Sequence, residues 1–261
     1  MWSTDTLTRF VRDGYVVLPK VVPEALLGPV DAEFSRVLAA HPDPGGGPHH
    51  SAFVPPSTVP ACLAALDDSP ARSLAEHLVA PNALEHRFDH VQLCTNQPGN
   101  RHRPRSPHID GMGHGPPRPE TFTMLAGIYL GDEGQPDRGN LYVWPGSHLL
   151  HASIHRDYGT DVLLPSGGHI GMFDSELDLG PSHPVYADRG DLLLAHYLTG
   201  HNSGGNQADI ERRIVYFRLG VVGHRDHWEQ TMTDPWFEYA PALRQLHKDM
   251  HRFRSHSRSQ P

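Results

Sequence analysis

Apolar positions in the first eighty residues follow a helical period broken by one strand-like run. Leu7, Phe10 and Val11 share one side of a helix that Thr4 or Thr6 can cap and Asp13-Gly14 stops. Tyr15-Val16-Val17-Leu18 then predicts a short strand. Pro23 suits a first helical turn, and Leu26, Leu27, Val30, Phe34, Val37 and Leu38 carry a second stripe to about residue 40. Residues 42–60, rich in proline and glycine, predict a loop. Ser69 is placed to cap a helix over 71–78.

From about residue 84 the pattern changes to short runs between turns. Strands are predicted over 91–95, 122–130, 141–144, 184–187, 192–195 and 213–219, and a closing amphipathic helix over 236–250. Pro145-Gly146-Ser147-His148 predicts a turn, with Ser147 bonding locally to the backbone. Many short strands with Gly/Pro turns indicate a sandwich or barrel rather than alternating βαβ units. The expected organisation is one domain over 1–261, comprising a helical wrap (1–80), a β core (84–222), a C-terminal helix (234–250) and a tail (251–261). No internal repeat is present.

Composition narrows the setting. The hydrophobic fraction is 38%, and no run approaches the ~20 apolar residues of a membrane-spanning helix. The N-terminus has no basic region followed by an apolar one, so no secretory signal is expected. Cys62 and Cys94 are the only cysteines, which excludes a disulfide framework and points to the cytoplasm. A net charge of −8 argues against a general nucleic-acid binder and leaves a small-molecule substrate as the expected partner. The basic run Arg101-His102-Arg103-Pro104-Arg105 precedes the candidate metal motif and is placed to attract an anionic substrate. The 101–106 run, the 42–60 loop and the 152–183 insertion are expected to shape the approach to the site.

With 21 histidines in the chain, spacing has to select any ligands. His108-Ile109-Asp110 offers an imidazole and a carboxylate from one strand face, because residues i and i+2 point the same way. The motif is short, and His102, His114, His148 and His151 lie close by. A third ligand must come from another strand. The segment from Gly190-Asp191 through an apolar strand to His201 supplies one, with His196 as a rival read as a core residue. Two histidines and one carboxylate occupy one face of an octahedron and leave three positions open, as non-haem iron(II) oxygenases require. Arg212 lies far enough beyond His201 to return on an adjacent strand, where its fork matches a carboxylate; Arg213 is the alternative and should face the other way.

These features together resemble the phytanoyl-CoA dioxygenase family of iron(II)/2-oxoglutarate oxygenases. The resemblance rests on Phe10 to Leu18, on Pro107-His108-Ile109-Asp110, on Gly139-Asn140-Leu141-Tyr142-Val143-Trp144-Pro145-Gly146-Ser147-His148, and on Gly190-Asp191 through His201, Asn202-Ser203 and Arg212. It implies a mainly β fold with flanking helices around a double-stranded β-helix (jelly-roll, cupin-like) core. It implies His108, Asp110 and His201 as iron ligands. Arg212 is then the partner of the distal carboxylate of 2-oxoglutarate, with Ser203 assisting and Gln92 and Asn96 as further co-substrate contacts. The implied reaction consumes O2, releases succinate and CO2, and hydroxylates an unactivated C–H bond; desaturation, epoxidation and ring formation use the same site. Related halogenases carry a small residue at the carboxylate position, so Asp110 disfavours that outcome. Two other classes stay open at this point, a silent jelly-roll binding protein and a zinc hydrolase with the same ligand set.

Overall fold

Helix α1 (Thr4–Asp13) begins where the Ser3 hydroxyl accepts from the Thr6 backbone N–H, so Ser3 is the cap instead of Thr4 or Thr6. Gly14 ends it at φ +84, and its N–H returns to the Phe10 carbonyl. A Cβ at Gly14 would lie 2.5 Å from both the His148 ring and the Thr199 hydroxyl. Glycine therefore lets strand β1 (Tyr15–Leu18) leave the helix in tight contact with the segment that precedes His201. The computed structural model describes residues 2–43, 45–85, 90–105, 107–111, 120–160 and 179–257, without the side chains of 251 and 253–257.

The remaining strands are β2 (His49–Val54), β3 (Val91–Asn96), β4 (Met124–Tyr129), β5 (Leu141–Val143), β6 (His183–Pro184), β7 (Leu192–His196), β8 (His201–Ser203) and β9 (Arg212–Leu219). Six of them form one antiparallel sheet in the order β1-β7-β4-β9-β3-β2, and three form a second in the order β6-β5-β8. The helices are α2 (Glu24–Ala40), α3 (Pro60–Asp67), α4 (Pro70–Val79), α5 (Ser147–Tyr158), α6 (Trp228–Thr233) and α7 (Pro241–Ser257).

Alternation along the strands builds two cores. Val91 and Leu93, Ala126 and Ile128, Leu192 and Leu194, and Val215 and Phe217 join an outer cluster with Phe10, Leu27, Phe34 and Leu78 of the helices. Cys94, Leu125, Tyr129, Leu193, Ala195, Ile214 and Tyr216 turn the other way and meet Leu141 and Val143 of the small sheet. Both faces of the large sheet are thus covered, which is why β4 and β7 are buried at every position and, His196 apart, do not alternate with polar residues. Each fully buried Phe or Leu in these clusters stabilises the fold by about 1.5–3 kcal/mol. This is the jelly-roll expected from the sequence, with the space between the sheets available for a site.

Several boundaries differ from expectation. The 42–60 segment is not a loop throughout. It contains β2, which pairs residue by residue with β3, and leads into α3 at Pro60. Strand β2 lacks an apolar alternation of its own, and its hydrogen bonds come from the edge of β3. Residues 1–80 accordingly supply both edge strands of the large sheet as well as the helical wrap. The Pro145-Gly146 turn is followed at once by α5, so Ser147 and His148 sit in a first helical turn. The last helix starts at Pro241, with Trp236 buried ahead of it, and runs to Ser257 through much of the expected tail. Both cysteines are buried and free, and burial pushes the Cys62 thiol up. Among the described residues no helix is long and apolar enough to cross a membrane.

Candidate metal centre

Backbone pairing places the first two side chains. His108 and His201 face each other across an antiparallel bridge, each N–H donating to the other's carbonyl at 2.9 and 3.1 Å. Directly opposed residues project to the same side, so their rings meet with centroids 4.4 Å apart. Asp110, two residues beyond His108, joins them from the same side. Its Oδ1 lies 3.3 Å from His108 Nε2 and 3.5 Å from His201 Nε2. One ligand atom from each of the three falls within 4.8 Å of the others. Two imidazole nitrogens and a carboxylate oxygen converging on one point is a donor set that suits divalent iron.

The surroundings prepare each group. The Nδ1 of His201 lies 3.0 Å from the Thr199 carbonyl. A carbonyl only accepts, so Nδ1 carries the proton and Nε2 presents its lone pair to the site. Thr199 is itself tied down, its hydroxyl donating to Gly14 O, and Gly200 N–H donates to Ser147 Oγ. These bonds account for two sequence motifs, Asp13-Gly14 and Pro145-Gly146-Ser147, as supports for the segment that delivers His201. Ser147 Oγ also donates to Trp144 O, the local bond expected. Burial pushes the Asp110 carboxyl up, but the Arg218 guanidinium and the two imidazoles outweigh it and hold Asp110 well below the usual carboxylate range. Burial and the neighbouring His201 lower His108. At His201 burial is outweighed by Asp110 and the Thr199 carbonyl, which raise it.

Arg218 was not anticipated. Its Nη2 donates to Asp110 Oδ2 at 2.5 Å and to Gln92 Oε1 at 2.9 Å, and Gln92 in turn donates to Ser51 Oγ at 3.1 Å. The guanidinium lies between the rings of Phe53 and Phe122, 5.4 and 5.8 Å from their centroids. Taking the outer oxygen of Asp110 leaves the other directed at the histidines. The strand period held the signal, because Arg212, Ile214, Tyr216 and Arg218 alternate onto one face of β9. Replacing Arg218 with Met keeps the packing between the rings and removes the tie to Asp110. Iron(II) titration of Arg218→Met is expected to show affinity about 10–100-fold weaker, as for other lost outer partners of a metal ligand. An unchanged titration would mean that Arg218 does not orient Asp110.

Arg212 occupies the inner face of β9 at its other end and is fully buried. Its Nε donates to Glu133 Oε1 at 2.9 Å, Nη2 donates to Tyr216 Oη at 3.0 Å, and Nη1 contacts Cys94 Sγ at 3.9 Å. Gly139 gives this side chain room, since a Cβ there would lie 3.1 Å from Arg212 Cβ and 3.0 Å from Asn96 Nδ2. The adjacent Asn140 donates to the carbonyls of Glu133 and Val185 and so holds the Glu133 turn. Glu133 had no sequence signal, because Gly131-Asp132-Glu133-Gly134 reads as an exposed turn. Arg213 faces the helices, over the Phe34 ring and paired with Glu211.

The other residues expected at the co-substrate fall on β8 and β3. Ser203 lies two residues beyond His201 and opposite Leu141, on the same side of β8. Gln92 faces inward, but its amide joins Arg218 and Ser51. Asn96 is fully buried, donating to Gly204 O and accepting from Asn100, bonds that brace the turn between β8 and β9. His196 is a core residue, bonded to Pro235 O and stacked on Tyr239. His148 and His151 are buried outside the triad. Trp144 is buried as well. Residues 112–119 and 161–178 lie outside the described residues, and with them His114 and much of the 152–183 insertion. Arg101 to Arg105 line an open cleft of 810 Å³ that reaches Asn202, next to His201.

Residues 10–214 match the family model described as phytanoyl-CoA dioxygenase (PhyH). Among solved structures the fold is similar to the non-haem α-ketoglutarate-dependent carbocyclase SnoK from nogalamycin biosynthesis (20% identity over 82% of each chain, TM-score 0.61). It is also similar to the epimerase SnoN in complex with Fe3+, α-ketoglutarate and nogalamycin RO (23% identity, 81% of this chain and 80% of that one, TM-score 0.58). A third is HygX from Streptomyces hygroscopicus with nickel, 2-oxoglutarate and hygromycin B bound (19% identity, 84% and 87% of the chains, TM-score 0.55). No curated protein matches the sequence.

Proposed function

The chain belongs to the phytanoyl-CoA dioxygenase family, whose cofactors are iron(II) and 2-oxoglutarate with O2, and on that premise we propose that it hydroxylates an unactivated C–H bond of a small biosynthetic intermediate. The observation that carries this reading is the convergence of His108, Asp110 and His201 on one point, with Arg212 on an inner face of the same sandwich. In this reading His108, Asp110 and His201 would hold Fe(II). Iron and 2-oxoglutarate with O2 supply the oxidising power when bound, and succinate and CO2 are released.

The remaining work belongs to the chain's own groups. Arg218 holds the outer oxygen of Asp110, and the Thr199 carbonyl sets the His201 tautomer. The Arg212 fork receives the distal carboxylate of 2-oxoglutarate, with Ser203 assisting. Leu125, Leu193, Ala195 and Ile214 supply an apolar wall that keeps water from the reacting carbon. No side chain has to move a proton in the oxidation itself. The carboxylate of Asp110 favours hydroxylation over halogenation. Carbocyclase and epimerase neighbours on the same fold make substrate pose the determinant of outcome within this chemistry. Arg101, Arg103 and Arg105 beside the cleft favour a substrate with an anionic group.

Incubation with Fe(II), 2-oxoglutarate, O2 and a panel of anionic small molecules tests the reading. Substrate-dependent succinate and a product heavier by one oxygen atom are expected. Stoichiometric iron binding without turnover of any substrate would favour a silent binding protein, and activity with zinc in the absence of O2 would favour a hydrolase.

A further inference from the structure

We propose that Glu133 is a proton-linked positioning residue for Arg212, taking up one proton from the buffer as the distal carboxylate of the keto-diacid docks. The inference rests on the assignment of Arg212 to the co-substrate and adds to it a partner that the co-substrate must neutralise. Before docking, one guanidinium faces one carboxylate at 2.9 Å, both side chains essentially without solvent exposure, so the local charge is zero. A second carboxylate on the same guanidinium leaves an excess negative charge in a buried site. Like charges sharing such a site do not both stay ionised. One proton on Glu133 restores a net charge of zero.

The surroundings leave Glu133 as the group able to respond. Its Oε2 is buried with no hydrogen-bond partner, so a proton placed there displaces no existing bond. Tyr216 of β9, Tyr129 of β4 and Cys94 of β3 also face the pair; burial raises both tyrosines and keeps them neutral. Asp188 stands beside the same turn, its Oδ1 2.8 Å from where a Cβ at Gly134 would lie. Among the described residues His49 of β2 is the competing acceptor, and burial together with Arg212 lowers it. Burial pushes the Glu133 carboxyl up to about 7 against the pull of Arg212, so modest added negative charge completes its protonation.

The sign follows from linkage. Well below pH 7 Glu133 already carries its proton before docking, and binding takes up little. Above pH 7 the free protein has lost that proton and must regain it, so co-substrate affinity falls as pH rises. With a free-state value of about 7, affinity is expected to drop about fivefold between pH 7 and pH 8.

Anaerobic calorimetry of 2-oxoglutarate binding to the Fe(II)-loaded protein, in two buffers of different ionisation enthalpy, reads the proton directly. Uptake approaching one proton at pH 8 and below one half at pH 6 is expected in the parent. Glu133→Gln, which keeps size and shape, is expected to abolish the buffer dependence and flatten affinity between pH 6 and pH 8. Buffer-independent heat in the parent overturns the proposal without any variant. Uptake that survives Glu133→Gln overturns it in favour of His49. Failure of the Fe(II)-loaded protein to bind 2-oxoglutarate in any buffer would instead bring down the co-substrate reading of Arg212.

Discussion

Asp110→Ala is expected to remove iron(II) binding and turnover together. Asp110 is the only carboxylate of the triad, and its Oδ1 lies within 3.5 Å of both imidazoles. Without it the site keeps two neutral imidazoles and gains an unpaired guanidinium, because Arg218 loses the oxygen it holds at 2.5 Å. A cation would then meet positive charge where the parent offers negative. Loss of an outer partner alone typically weakens a metal by about 10–100-fold, so loss of this ligand is expected to exceed about 100-fold. Iron(II) titration with a folded-state check by circular dichroism measures it. A variant that binds iron(II) as tightly as the parent would remove Asp110 from the ligand set. Asp110→Glu keeps the charge and displaces the oxygen, so partial binding with little turnover is the expected contrast.

Arg212→Ala is expected to have the second largest effect, and it acts on stability as well as co-substrate binding. Removing one partner of a fully buried ion pair leaves Glu133 uncompensated, a change that costs about 3–5 kcal/mol. Glu133 can escape by taking a proton, and without Arg212 its folded-state value lies further above the unfolded one. A raised carboxyl contributes stability below its unfolded pKa and loses it as pH rises through the folded value. The thermal stability gap between Arg212→Ala and the parent is therefore expected to widen from pH 6 to pH 8. Adding Glu133→Gln to Arg212→Ala is expected to recover much of the stability, since the stranded charge is gone, but none of the 2-oxoglutarate binding. A single variant that binds 2-oxoglutarate as the parent does would end the assignment of Arg212. Arg212→Lys keeps the charge and loses the planar fork, so it should retain stability better than affinity.

Much of this site was legible in sequence because its key geometry is local. His108 and Asp110 share a strand face whatever the rest of the chain does, and an apolar strand ending in His201 needs one pairing to face them. The return of Arg212, with Arg213 turned to the helices, follows from the same period of two. A β sandwich or barrel was also legible in the many short strands between Gly/Pro turns, and the family resemblance narrowed it to a jelly-roll. Strand β2 and helix α3 were not. Each is held by a neighbour distant in sequence, β2 by the free edge of β3, and neither carries enough apolar periodicity of its own. Gln92 was legible as a residue of β3, whereas its bond to Arg218 and that of Asn96 to the Gly204 carbonyl come from elsewhere in the chain and carry no local signal.

What the chain determined alone is most of the apolar strands and the face on which their polar side chains emerge, consequences of short-range stereochemistry. Only the tertiary structure decided the partners: Arg218 for Asp110, Glu133 for Arg212, the Thr199 carbonyl for His201. Charge and hydrogen bonding act across space, and a buried carboxylate in a Gly-rich turn is indistinguishable in sequence from a solvated one until the opposite wall closes over it.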